Sequence, residues 1–439
     1  MKRKTFLKTS LAAGASLTIL PSGLWASSKK NSTMQLAQIG TGRMGQGDMM
    51  NALNNGWKPE VNARMVAVCD VDRSRALDAE KKVRKAYTEK GEAEVDCQVE
   101  TDFRRILSRK DIDGVLISTP ENWHALIGVA AANAGKHIYL QKPLTYSIPE
   151  GQELVKAVRR NKVVLQTGSQ QRSSVYFRQV CTIVRNNWLG KLQRIEVEIP
   201  TDKGRADGEP TPPPEDFNYD MWLGPCPEMP YIESRVHPDN GYSRPGWLQV
   251  NRFCLGMITG WGSHMYDIAQ WGNGTDVNSG PTSIQANGVF PDRGHFDVHV
   301  GYSGEAHYAN GVVLRSNNGS PGVKFITENG WAYCKRGGME CSDPSLLRRK
   351  PTQHEVNLYH SSNHMQNFLD SARTGQEPIC PVEVGHRSNT ICVLHDVSMK
   401  LGGRKLNWDP AQEAVVDDAE ANQLIQVPMR APYTFENYA

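Results

Sequence analysis

The chain of 439 residues has no Cys-x-x-Cys pair, no surplus of charge of either sign and no apolar run as long as a membrane span. Its nine cysteines (Cys69, Cys97, Cys181, Cys226, Cys254, Cys334, Cys341, Cys380 and Cys392) are odd in number and scattered. That spacing argues against a zinc ribbon or a dithiol redox motif and reads most of them as small buried hydrophobes. Lys and Arg total 50 against 47 Asp and Glu, a net charge of +3. Such a balance draws neither a polyanion nor a charged membrane surface, so nucleic acid is not an expected partner. No stretch reaches the roughly 20 apolar residues of a permanent membrane helix, so no membrane anchor is expected. What is present is apolar and aromatic surface: 39% hydrophobic residues, with 10 Trp, 14 Tyr and 10 Phe. Global disorder is excluded, and at about 150 residues per domain the length makes two or three domains.

Residues 1–26 read as a signal peptide, with basic Lys2, Arg3, Lys4 and Lys8, an apolar stretch from 11 to 20, a Pro21-Ser22 break and a polar exit. Arg3-Lys4-Thr5-Phe6-Leu7-Lys8 resembles a twin-arginine signal with Lys4 in place of the second Arg. The expectation is an exported, periplasmic protein, with the route open between twin-arginine and general secretion. No cysteine follows the apolar stretch to carry a lipid.

Past the leader, Gln35-Leu36-Ala37-Gln38-Ile39 reads as a buried strand that runs into Gly40-Thr41-Gly42-Arg43-Met44-Gly45 and then a helix. G-x-G-x-x-G in that setting allows a tight turn, a close approach of backbone to a pyrophosphate and close helix packing, with helix N–H groups aimed at the anion. A second apolar run, Met65-Val66-Ala67-Val68-Cys69, ends at Asp70, where an acid binds an adenosine ribose; a carboxylate there favours NAD over NADP. The alternation continues with a strand at 113–118, a helix from about 121 to 134 and a strand at 137–140. Strands separated by helices predict a doubly wound parallel sheet, a Rossmann domain over 34–155. Ser118-Thr119-Pro120 and Gln141-Lys142-Pro143 then face one crevice at the carboxyl ends of the strands.

The Gly-rich turn, Thr119-Pro120-Glu121-Asn122-Trp123-His124 and Gln141-Lys142-Pro143 together resemble the Gfo/Idh/MocA family of sugar and inositol oxidoreductases. The resemblance implies NAD as cofactor, held by residues 40–45, Asp70, Thr119, Pro120, Asn122, His124, Gln141 and Lys142. Lys142 touches the hydroxyl being oxidised, Pro143 is reached through a cis bond, and His124 lines the nicotinamide side. The family motif is usually E-K-P; Gln141 replaces the Glu, so any ribose contact there passes to a neutral amide. Gly262-Ser263-His264-Met265-Tyr266-Asp267 resembles the later signature D-x-G-x-H-x-x-D, with His264 as general base and Asp267 as a further catalytic acid. The aspartate four residues before the histidine is absent, since Gly260 stands there, which leaves open the carboxylate that orients His264. No metal is expected, because the histidine lacks ligand spacing and hydride transfer needs none.

From Arg194 the pattern changes to alternating strands at 194–199, 296–300, 312–314 and 323–326, with Asn310-Gly311 and Asn329-Gly330 as hairpin turns. This predicts an α+β second domain over 156–439 with an open, mainly antiparallel sheet. The resemblance adds that such a sheet backs the active site and makes a homodimer or homotetramer interface. The segment 201–261, rich in Pro, Gly and Trp, is too long for a plain connection and reads as functional. A sugar site mixes amides, charges and indoles; the candidates are Lys142, Gln171, Arg172, Trp222, Arg235, His237, Trp261 and His264. Residues 360–370 and 383–401 read as amphipathic helices, and 408–433 as a polar wrap of no assigned role. The function expected is NAD-dependent oxidation of a ring hydroxyl of a sugar or glycoside to a keto sugar. A glucoside 3-dehydrogenase is one form of it. The alternative is a redox-neutral glycoside hydrolase that uses transient oxidation and elimination.

Overall fold

The alternation of short apolar strands with helices takes shape in the computed structural model, which describes residues 33–92, 96–238, 246–277 and 279–438. The expected signal peptide lies outside the described residues. The first sheet is built from β1 (Met34–Ile39), β2 (Ala63–Cys69), β3 (Gln98–Glu100), β4 (Gly114–Ile117), β5 (His137–Leu140) and β6 (Leu165–Thr167), in spatial order β3-β2-β1-β4-β5-β6. All its pairings are parallel. The crossovers carry α1 (Arg43–Gly56), α2 (Arg73–Glu89), α3 (Phe103–Ser108), α4 (Glu121–Asn133) and α5 (Ile148–Asn161). Because both faces are covered, the strands are apolar on both sides: Ile39, Cys69, Ile117 and Leu140 pack with Trp123, Leu126 and Leu154, while Leu36, Met65 and Leu116 pack with Met49 and Leu53. β6 lies past residue 155, where the sequence reading ended this domain; Leu165 pairs with Ile138 and extends the sheet.

After α6 (Val175–Arg185) and β7 (Leu192–Ile199) come the short helices α7 (Tyr219–Leu223), α8 (Glu233–Val236) and α9 (Met257–Gly260), then α10 (Gly262–Asn273). The second sheet adds β8 (Pro281–Val289), β9 (Gly301–Tyr308), β10 (Val313–Asn318), β11 (Gly322–Thr327), β12 (Gly330–Lys335) and β13 (Gly338–Cys341). Its last members follow α11 (His364–Thr374) and α12 (Val382–Lys400): β14 (Leu406–Asp409) and β15 (Ala414–Val415). The spatial order is β13-β12-β11-β7-β10-β9-β8-β14-β15, antiparallel except where β10 runs parallel to β7. The chain ends with α13 (Ala419–Leu424) and α14 (Phe435–Tyr438).

Several local expectations change. No strand forms at 296–300, because the N–H groups of Asp297 and Val298 donate to the Gln249 carbonyl and the ladder starts at Gly301. At Asn310-Gly311 the glycine takes φ +85° in the hairpin, as Asn-Gly turns require. At the next hairpin Gly330 is already paired with Thr327, so the loop residues are Glu328 and Asn329. α12 is not amphipathic: 16 of its 19 residues are buried, since it packs against α5, β6, α10 and β8 at once. α11, from the second half of the chain, covers the first sheet through Met365, Phe368 and Leu369. No helix among the described residues is long and apolar enough to cross a membrane.

Candidate active site

Parallel strands bring their carboxyl ends to one edge, where the loops after β1, β2, β4 and β5 line a single cleft. Gly40 leaves β1 with φ +81°, and a Cβ there would sit 2.7 Å from the Ser118 carbonyl oxygen. At Gly45 a Cβ would meet the Gly40 oxygen at 1.9 Å, so only glycine lets α1 start this close to β1. Gly42 stands at the N-cap with no side chain capping the first N–H groups of α1. An uncapped helix N-terminus in an open cleft suits a pyrophosphate. Asp70 closes the turn: one oxygen accepts from the Thr41 N–H (2.7 Å) and hydroxyl (3.0 Å), the other from the Asp72 N–H (3.0 Å). Its burial raises the carboxyl above the ordinary range. The Thr119 hydroxyl is buried in the cleft wall with no partner among the described residues, and Met44 is 43% exposed at its edge. The opposite wall comes from the 201–261 segment, through Phe217, Met221, Trp222, His237 and Trp247. That segment is tied to the end of β2 by backbone bonds from Arg73 to Asp216 and from Asn218 to Val71. These residues fit a dinucleotide.

Lys142 leaves the end of β5 through a cis bond to Pro143, and its Nζ donates to the Gly260 carbonyl at 3.1 Å. Burial lowers the ammonium below the usual lysine value, while the Glu121 charge partly holds it up. Glu121 opens α4 and is itself buried; Oε1 accepts from the Cys254 thiol (3.0 Å) and the Thr259 hydroxyl (3.2 Å), and Oε2 has no partner among the described residues. Burial pushes this carboxyl up to about 7. Facing Lys142 across the domain junction is His264 on α10, held well below the usual histidine value by burial and by the charges of Lys142 and Arg336. The imidazole is therefore neutral. The Gln171 amide is oriented by Arg336, which has only donors to offer: the amide oxygen accepts from Arg336 Nη2 (2.9 Å) and Nε (3.1 Å), and the amide nitrogen donates to His264 Nδ1 at 2.7 Å. Arg336 also lies over the Trp261 ring at 4.4 Å and 3.4 Å from His264 Nε2. A lysine of lowered basicity and a neutral imidazole converge here, a pair suited to moving a hydroxyl proton.

Of the residues expected from sequence, Lys142, His264, Gln171 and Trp261 come together, and Gly40, Gly42, Arg43, Met44, Asp70, Thr119, Pro120, His124 and Gln141 line the cleft. Asp267 and Arg172 do not take the roles expected of them. Arg172 grips Asp267 through Nε and Nη2 (2.8–3.0 Å), reaches Asp276 at 2.8 Å and stacks on Trp271, all buried. A bidentate ion pair sealed in the core is structural. The Gln141 amide donates to both oxygens of Asp48 (3.1 and 2.8 Å) rather than into the cleft. Asn122 donates to the Leu223 carbonyl. His124 sets one ring nitrogen against each of the Pro143 and Thr119 carbonyls, and since burial holds it down to about 4 the neutral ring donates to one of the two. Trp222, Arg235 and His237 belong to the cofactor side: Trp222 packs with Phe217 and Phe253, Arg235 holds the Tyr219 hydroxyl, and His237 bonds to Asp72 at the foot of α2. Sequence reasoning missed Glu121, Cys254, Thr259 and Arg336. Glu121 stood inside a quoted motif, whereas Arg336 is at a β12–β13 hairpin tip whose only local signal is a turn.

Comparison with known proteins agrees with this geometry. Residues 34–169 match the family model described as "Oxidoreductase family, NAD-binding Rossmann fold", and residues 199–435 match "Oxidoreductase family, C-terminal alpha/beta domain". The chain belongs to the Gfo/Idh/MocA oxidoreductase family, and its first domain is an NAD-binding Rossmann fold. Among curated relatives, the myo-inositol 2-dehydrogenase of Thermotoga maritima is 26% identical over 186 residues, 42% of this chain and 48% of the relative. A glycosyl hydrolase family 109 protein of Stenotrophomonas maltophilia is 25% identical over 257 residues, 56% of this chain and 52% of the relative. The chain thus spans about half the length of the curated relatives it matches. A solved levoglucosan dehydrogenase, in complex with NADH and L-sorbose, superposes with a TM-score of 0.61 at 14% identity, over 86% of this chain and 99% of the other. The WlbA dehydrogenase of Bordetella pertussis, in complex with NADH and UDP-GlcNAcA, gives 0.61 at 15% identity, over 86% and 99%.

Proposed function

We propose that this protein is an NAD-dependent oxidoreductase that oxidises a ring hydroxyl of a sugar or glycoside to a ketone. The observation that carries the reading is the convergence of Lys142 and neutral His264 beside the cofactor cleft. Bound in that cleft, nicotinamide supplies hydride acceptance and return. Lys142 holds the hydroxyl oxygen and stabilises negative charge on it, and His264 exchanges its proton. Purified protein given NAD and a panel of glycosides is expected to form NADH. Lys142→Met is expected to keep NADH binding, read by fluorescence, and to lose turnover by at least about a hundredfold; full turnover in that variant overturns the assignment.

A second reading, redox-neutral glycoside hydrolysis, is favoured by the similarity to glycosyl hydrolase family 109 proteins. It predicts release of the aglycone with no net NADH. Export to the periplasm, from the leader, and self-association belong to the same proposal. The second is supported by a sheet face of charged and aromatic residues (Arg194, Glu196, Glu305, Arg315, Lys324, Trp331) that half-emerge from the surface. Sedimentation that reports only monomer overturns it.

A further inference from the structure

Around Arg336 the site is short of negative charge. Lys142 and Arg336 both face His264, and among the described residues neither has a carboxylate within ion-pair distance. Of the acids nearby, Asp267 and Asp276 are held by Arg172 and Asp48 by Gln141 and Ser118, while Glu121, bonded through Oε1 to Cys254 and Thr259, lends its charge to Lys142 and not to Arg336. The position four residues before His264 holds Gly260, whose carbonyl is where Lys142 rests. Arg336 is pre-set for a ligand. Its guanidinium is stacked on Trp261, its Nε and Nη2 share the Gln171 oxygen, and among the described residues Nη1 has no protein partner at this exposed hairpin tip.

A planar fork held by stacking, with a second cation and a neutral base beside it, is an arrangement for a carboxylate. Building on the sugar-oxidising reading above, we infer that the substrate is an acidic sugar, a uronic acid or uronide, whose carboxylate is bound by Arg336 while its ring hydroxyl lies between Lys142 and His264. The anion that the protein omits arrives with the substrate.

The test compares methyl glucuronide, methyl glucoside and glucose 6-sulfate on the NAD-loaded full chain, by calorimetric binding and by NADH formation, for the wild type and Arg336→Met. The methionine keeps an apolar contact with Trp261, and unchanged melting and NADH binding verify that the variant folds. The glucuronide is expected to bind at least about tenfold more tightly than the glucoside, and Arg336→Met is expected to abolish that difference. Equal binding of the two, or a difference that survives the substitution, overturns the inference while leaving sugar oxidation standing. A preference for the sulfate overturns the carboxylate assignment. Binding and turnover of none of the three overturns the sugar reading and this inference together.

Discussion

At position 141 the chain departs from the family motif, and its reason lies 93 residues upstream. Asp48 is buried on α1 and accepts from both Gln141 and Ser118. A glutamate at 141 would set two carboxylates within hydrogen-bond distance, where both cannot ionise. Gln141→Glu is therefore expected to cost roughly 3 kcal/mol in denaturant unfolding at neutral pH, and Asp48→Asn in the same chain to recover most of it. Full stability of the single variant would dismiss this coupling. Burial, opposed by those two hydrogen bonds and by Lys142, pushes Asp48 up to about 6. A carboxyl raised on folding contributes stability below its ordinary range and loses it as pH rises through the raised value. Asp48→Asn should thus gain on the wild type between about pH 4 and pH 6, by up to about 3 kcal/mol at 1.36 kcal/mol per unit. Parallel stability curves for the two proteins would contradict this.

α10 illustrates what an element contributes beyond its residues. His264 and Asp267 are three positions apart, and helical spacing alone puts them close to one face. In the structure they serve different ends: His264 meets Gln171 and Arg336, while Asp267 turns to Arg172 and the Ser388 hydroxyl. Asp267→Asn leaves Arg172 buried with one remaining acid, Asp276, and is expected to destabilise the fold by about 3–5 kcal/mol. Soluble variant protein should retain proton-transfer chemistry, with the pH dependence of turnover unmoved. A shifted pH profile at unchanged stability would return Asp267 to the catalytic set. Element types were largely legible in the sequence: β5 and α4 fall within a residue of where periodicity put them. The strand read at 296–300 failed because one carbonyl, on Gln249, took its donors.

Across the whole molecule the last residues return to the first domain. Tyr433 stands edge-on to Trp123, Tyr438 stacks on Phe103, and Arg430 pairs with Asp220 at 2.7 Å while the Tyr433 hydroxyl bonds to the same carboxylate. Phe103 and Trp123 line the cofactor cleft, so the wrap that composition left without a role braces that wall from behind. Deleting residues 428–438 is expected to cost roughly 3 kcal/mol or more of stability and to weaken NADH binding, read by melting and by fluorescence titration. An unchanged NADH affinity would detach the wrap from the site. The sequence by itself determined what is local: the strand and helix periods, the Gly-rich turn with its closing acid, and the Lys-Pro and His motifs on which the proposed chemistry rests. Only the tertiary structure decided the partners, pairing Gln141 with Asp48, Arg172 with Asp267, and Arg336 with Gln171 and His264. Periodicity constrains neighbours three or four positions apart, whereas these contacts join residues 72 to 165 apart. Which charges are neutralised inside the fold, and which are left for a ligand, follows from packing alone.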